Sequence, residues 1–186
     1  MNRSNCLAAL LTIPTLVLGS IELGSNRANA ANIVAANTVR VSCDTNTSVP
    51  TVVATLSTQD SASTQDYRSS QTNPILSFLP EYFSPESALT NCQKTAQSLH
   101  KHYSQGEMNY LASDTINGKP VVCAVKRRGV RCDNYSSEIL FSIDKTVNPT
   151  QLLYNMLGNN FKGSQPPSLR TVSRIYTDLR PNWWPF

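Results

Sequence analysis

His100 and His102 are the only imidazoles in the 186-residue chain, so chemistry that needs a neutral base or a nitrogen ligand must use this pair. Two apart on a helix, they point to different sides, unlike the i, i+4 histidines that hold zinc in a metalloprotease. Lys101 separates them, and both read as solvent-facing. A Ser-His-Asp site would need one of them buried beside a nucleophile, and no G-x-S-x-G occurs. Glu81 and Glu86 are close enough to suggest paired carboxylates, but Glu86 suits the first turn of a helix, where the helix dipole favours an anion. Gly118-Lys119 falls at a turn and is followed by Pro120, so it cannot open a helix in the manner of a phosphate loop. The residues therefore name no catalytic group, no metal-ligand set and no cofactor. They leave two readings: a protein that acts by binding, and a small extracytoplasmic hydrolase whose site the sequence does not reveal.

Binding has two candidate surfaces. Lys126, Arg127, Arg128 and Arg131 cluster at one turn and suit an anionic partner, although basic turn residues often serve solubility alone. Towards the carboxyl end, Pro166-Pro167 punctuate the chain. Leu169, Val172, Tyr176 and Leu179 then recur at helical spacing, with Arg170, Arg174 and Arg180 at other positions. The chain closes Pro181-Asn-Trp-Trp-Pro-Phe186. A short helix with basic and apolar faces, followed by Trp183, Trp184 and Phe186, suits contact with a membrane surface or an envelope protein. The competing reading docks this tail on its own core. Nucleic acid is not indicated, because the charge is mild and forms no long stripe.

The cysteines and the amino terminus bear on compartment. Arg3 precedes an apolar run from Cys6 to Gly19, about 14 residues, which is too short to span a bilayer. Ala28-Asn29-Ala30 then offers a small-x-small cleavage pattern, so residues 1–30 read as a signal peptide, cut before Ala31, and 31–38 as a disordered leader. Without residues 1–30 the chain keeps 14 basic and 11 acidic side chains, a net charge of +3. It also keeps four cysteines, Cys43, Cys92, Cys123 and Cys132, an even number that reads as a disulfide framework in an oxidising compartment. If Arg127-Arg128 form a two-residue hairpin loop, Cys123 sits directly opposite Cys132, at a Cα separation of about 4.5 Å. Cys43 then joins Cys92, and closing that gap should stabilise by around 4 kcal/mol. No C-x-x-C is present to suggest zinc.

The elements that position these residues follow from period and punctuation. Val39–Cys43 and Thr51–Leu56 read as strands, residues 57–73 as a solvated polar loop with a repeated Ser-Thr-Gln-Asp, and Pro74–Leu79 as a third strand. A helix opens at Ser84-Pro85-Glu86, carries Leu89, Cys92, Ala96, Leu99 and Tyr103 on its buried face, and ends at Gly106. Strand Met108–Ala112, the turn Asn117-Gly118, the cysteine hairpin and strand Glu138–Ile143 follow. Asn148-Pro149 opens a second helix through Leu152, Leu153, Met156 and Leu157, with Gly158 as terminator. The expected class is α+β: an antiparallel sheet of about six to seven strands with two packed helices and two disulfides. The domain is expected over residues 39–161, with 162–186 as a basic and aromatic tail.

This order of residues resembles the cyanobacterial circadian oscillating protein family over roughly residues 39–158. The resemblance rests on Val41-Ser-Cys-Asp44 with Pro50-Thr-Val-Val-Ala-Thr55, and on Ile75–Phe83 leading into the helix that bears Cys92. It is densest over Gly106-Glu-Met-Asn-Tyr110, Ile116-Asn-Gly-Lys-Pro-Val-Val-Cys123, Cys132, Leu140-Phe-Ser-Ile143 and Asn148-Pro149 with Leu152-Leu153. The family pattern has an arginine before the helix cysteine and a tryptophan in the preceding strand, where this chain has Asn91 and Phe78. The resemblance implies export, association with a membrane and, in some members, day-night regulated expression. It implies no reaction.

Overall fold

A computed structural model of the chain describes residues 38–59, 68–163 and 174–180. The expected signal peptide, residues 31–37 of the expected leader, and the tail residues Arg170, Trp183, Trp184 and Phe186 lie outside the described residues. Three strands come first: β1 (Thr38–Asp44), β2 (Thr51–Gln59) and β3 (Arg68–Ser77). They pair antiparallel in the order β1-β2-β3. Two of these strands run further than apolar alternation suggests. β2 continues to Gln59 and β3 begins at Arg68, so much of the expected 57–73 loop is strand, and Thr38 of the expected leader already belongs to β1. Ladder hydrogen bonds are made by the backbone, so polar side chains extend a ladder once apolar neighbours such as Val52 and Ile75 have anchored it.

Helix α1 (Pro85–Gln105) starts and stops where the sequence places its signals. Ser84 caps it by accepting from the Ser87 N–H, and Gly106 closes it at φ +68°, its N–H donating to the His102 carbonyl. Its buried face comprises Ala88, Cys92, Thr95, Ala96, Leu99 and His102, while Leu89 is exposed. A second sheet follows, built from β4 (Tyr110–Ile116), β5 (Lys119–Val125), β6 (Ser137–Ser142) and β7 (Tyr176–Asp178), in the order β6-β5-β4-β7. Asn117 and Gly118, with φ of 51° and 79°, make the β4–β5 turn, which requires positive φ at both central positions. Helix α2 (Pro149–Met156) is capped by Asn148, whose side chain accepts from the N–H groups of Thr150 and Gln151.

The class is therefore α+β, with two helices and seven antiparallel strands among the described residues, and the strands fall into two sheets. One apolar cluster serves both, drawing Val41, Val52 and Leu76 from the first, Leu111, Val122 and Phe141 from the second, and Leu99 and Leu153 from the helices. Phe78, Phe83 and Phe141 form a closed triangle of edge-to-face rings with centroids 5.2–5.7 Å apart. Both disulfides are formed, Cys43–Cys92 and Cys123–Cys132, each with a Cα separation of 5.6 Å.

Three expectations need correction. Cys123 lies opposite Ile139 of β6, not opposite Cys132. The connection is not a two-residue turn but a loop of residues 126–136. Its Val130 and Cys132 fold back over Ala112, Val121 and Val125 on the outer face of the second sheet. That face is apolar, and the loop covers it where a tight turn would leave it wet. The helical spacing read in the tail is overridden at Tyr176–Asp178, which pair with Tyr110–Ala112 of β4 and bury Thr177. Finally, Gly158 does follow the C-cap Leu157 of α2, but in extended backbone at φ −65° and not in the left-handed conformation common for a terminating glycine.

Gly158 has a steric role. Its N–H donates to the Ile75 carbonyl at 3.0 Å, and Leu157 bridges to Leu76. A Cβ at residue 158 would lie 2.0 Å from the Pro74 carbonyl oxygen, whereas one at Gly163 would meet nothing within 4 Å. Gly158→Ala is therefore expected to destabilise the protein by about 2–3 kcal/mol, because backbone must move to admit the methyl group. Gly163→Ala should stay within about 0.5 kcal/mol of the parent. Urea unfolding midpoints of the two variants measure the difference.

Candidate functional site

Two places combine charge with geometry. The first is the 126–136 loop. The Cys123–Cys132 disulfide pins it to β5, the Tyr176 hydroxyl donates to the Val130 carbonyl at 3.1 Å, and the Asn109 side chain donates to the Lys126 carbonyl at 3.0 Å. Gly129, at φ +88°, lets the chain reverse. Lys126, Arg127, Arg128 and Arg131 are all exposed. Arg128 stacks over the Tyr110 ring at 5.3 Å from its centroid. Arg131 reaches Asp133 at 3.1 Å and the buried Asp114 at 3.7 Å. Among the described residues, no ion pair engages Lys126, Arg127 or Arg128. A cavity of about 510 Å³ lies in the loop, lined by Arg127, Arg128, Arg131 and Asn134 among others. Beside it Tyr135 is 99 % exposed, an unusual position for an aromatic side chain.

Arg127, Arg128 and Arg131 line this one cavity, and Lys126 begins the same loop without lining it. The structure separates Arg174 from any exposed tail surface: Arg174 lies 3.1 Å from Asp114, whose side chain is only 7 % exposed. This ion pair fastens the carboxyl-terminal segment to β4. The Tyr103 hydroxyl fastens it to α1 by donating to the Leu179 carbonyl at 2.6 Å, and burial pushes its pKa far above the ordinary phenol value. The Leu179 N–H returns a bond to the Asn109 carbonyl.

The second place is a groove between α1 and β6. His102 does not face solvent: it is 2 % exposed, and its Nε2 lies 2.7 Å from Oε2 of Glu138 on β6. The Ser98 hydroxyl donates to the other carboxylate oxygen, Oε1. Partial burial works to raise the Glu138 pKa, but the Ser98 and His102 hydrogen bonds and the nearby Lys101 outweigh it. The carboxyl is held below its ordinary value and stays ionised. An ionised carboxylate only accepts, so His102 donates from Nε2, and its buried Nδ1 has no hydrogen-bond partner among the described residues. His100, on another side of the helix, is exposed, and its Nδ1 accepts from the Val41 N–H at 3.4 Å. Lys94, Gln97, Ser98, His100, Lys101 and Glu138 line an open cavity of about 510 Å³.

This trio is not a hydrolytic triad. A serine nucleophile must give its proton to an imidazole that a carboxylate orients. Here Ser98 and His102 bind the same carboxylate side by side, and neither activates the other. What the arrangement does is hold a carboxylate in one orientation at the floor of a basic groove. A signal for His102 exists in the sequence: it continues the 92, 95, 99 spacing of the buried face of α1. Two polar neighbours, His100 and Lys101, obscure it. Glu138 carries no such signal, because its partners lie 36 and 40 residues away. Among the described residues, no three His, Cys, Asp or Glu side chains gather as a metal site would require, and no helix is long and apolar enough to cross a membrane.

Fold and site together define a small disulfide-bonded α+β domain with a pinned basic loop and a carboxylate-floored groove. Residues 40–183 match the model of the circadian oscillating protein COP23 family, and the chain belongs to that family. The match continues past residue 158 and takes in β7, in keeping with that strand's place in the second sheet. No curated protein and no solved structure matches the chain.

The Glu138 cluster predicts a definite acid response. A carboxyl whose folded pKa is depressed contributes stability above its ordinary value of 4.5, and that contribution is lost as the pH falls through the lower folded value. Glu138→Gln should therefore lower stability at neutral pH and flatten the decline below pH 4.5. Urea midpoints of parent and variant across acidic pH test this; parallel profiles would show that the carboxylate charge contributes nothing.

Proposed function

We propose that this family member is exported and acts, without catalysing a reaction, by docking its 126–136 loop on an anionic membrane surface of the cell envelope. The observation that carries this reading is the state of Lys126, Arg127 and Arg128. They are exposed, paired with no carboxylate among the described residues, and mounted on a loop held by a disulfide and two tyrosines. A loop backbone already held in place loses little freedom on meeting an anionic surface, and Arg128 is further held over Tyr110. Tyr135 adds an amphipathic ring of the kind that sits at headgroup level. Residues 1–30 support export as a signal peptide, and two disulfides suit an oxidising, extracytoplasmic compartment. The family's association with membranes agrees in kind.

The hydrolase alternative draws no support from Ser98, His102 and Glu138, since a carboxyl held below its ordinary pKa makes a poor general acid and a weak base, and His102 is bound to Glu138 and not to Ser98. The test is co-sedimentation with vesicles of phosphatidylcholine, with and without phosphatidylglycerol. The parent should bind the anionic vesicles and release them as salt rises. Arg127→Glu with Arg128→Glu should weaken binding by at least about tenfold, given about 1 kcal/mol for each basic residue near such a surface. Undiminished binding by the double variant would sink the loop reading.

A further inference from the structure

The α1–β6 groove shares no residue with the basic loop, and its chemistry is different. From the fixed Glu138 carboxylate beneath a rim of Lys94, His100 and Lys101, we infer a binding site for a small polyhydroxylated acid, of which a uronic acid is the simplest form.

The carboxylate sets the first requirement. Each of its oxygens accepts one hydrogen bond, from Ser98 or from His102, which leaves each with further acceptor capacity. The side chain is 43 % exposed, so that capacity faces the groove, and one anchoring donor, His102, is almost wholly buried. Two fixed acceptor oxygens suit a pair of neighbouring hydroxyls, each donating to one oxygen.

The rim decides what accompanies the hydroxyls. Lys94 and Lys101 are exposed, and neither makes an ion pair among the described residues. Because Nδ1 of His100 accepts from the Val41 N–H, its neutral ring carries the proton on Nε2, a further donor. Gln97 adds an amide donor, while Ser98, whose one O–H is committed to Glu138, adds only an acceptor. Two lysine charges against one carboxylate repel a second cation, so an ammonium ligand is disfavoured although Glu138 alone would welcome one. Neutral hydroxyls for Glu138 and an anionic group for the lysines satisfy both halves of the groove. A volume of about 510 Å³ lies in the range of small-molecule sites.

The experiment is amide and imidazole NMR titration of the intact protein with D-glucuronate, D-glucose and succinate, followed by a short oligogalacturonide. Glucuronate should give saturable shifts along α1 and at the His100 and His102 rings. Glucose, which lacks the acid, and succinate, which lacks the hydroxyls, should bind at least about tenfold more weakly, because each forgoes hydrogen bonds to a charged group. Lys94→Met with Lys101→Met lies at exposed positions and should lose glucuronate by a similar factor with the fold intact. Glu138→Gln should lose the hydroxyl contacts. Tighter binding of the oligomer assigns the site to an envelope glycan, and equal binding assigns it to a free sugar acid. Arg127→Glu with Arg128→Glu should leave all of this unchanged, so the groove and the loop stand or fall separately. Absence of saturation by both acids, or affinity for glucuronate that survives the double lysine substitution, overturns the proposal.

Discussion

Two small antiparallel sheets share one apolar core, and everything else in the molecule follows from how that core is closed. Neither three strands nor four can bury an apolar face alone. The helix α1 lies against β1, β2 and β6, so it belongs to both sheets at once. Cys43–Cys92 fixes its middle covalently to β1, and the Phe78, Phe83 and Phe141 triangle joins the end of β3, the entry to α1 and strand β6. Loss of either tie would let one sheet open on the other. The carboxyl-terminal segment completes the closure by pairing with β4 and anchoring to Tyr103 and Asp114.

This closure explains which parts of the structure the sequence discloses. Helix ends are legible because caps are local: Ser84-Pro85, Gly106 and Asn148-Pro149 act through backbone groups within a few residues. The Asn117-Gly118 turn is legible for the same reason; both cysteine pairs are formed as expected, although Cys123 meets Cys132 through a folded-back loop and not through the opposed-strand register. The misread segments depend on neighbours distant in sequence. Tyr176–Asp178 is a strand because β4 offers an open edge, and Leu169, Val172, Tyr176 and Leu179 match a helix by count alone. Residues 126–136 abandon a tight turn because the outer face of β4 and β5 needs a cover. The polar ends of β2 and β3 hold by pairing with each other.

The candidate sites divide along the same line. The basic loop could be named from four nearby residues, but its rigidity could not, since Tyr110 and Tyr176 come from strands separated from it in sequence. That rigidity distinguishes a recognition surface from basic residues that merely keep a turn soluble. The covering role and the charged role also reinforce each other. Val130 and Cys132 pack on the sheet, and Arg131 between them is left at the exposed surface.

The groove shows the reverse relation between core and surface. Burying an imidazole and tying it to a carboxylate costs desolvation that an apolar side chain at residue 102 would avoid, and paired polar groups seldom stabilise more than a well-packed hydrocarbon replacement. Nor is the pair needed to attach α1, which the disulfide, Leu99 and the phenylalanine triangle already hold. Its structural consequence is narrower: Glu138 cannot rotate. A carboxylate free to rotate on an edge strand would point into bulk water, whereas one bound by Ser98 and His102 keeps both oxygens oriented in the cavity that Lys94 and Lys101 also line. Orientation of that kind has value when something outside the protein must meet the oxygens, so a carboxylate fixed where α1 already has other attachments is the place to look for a ligand.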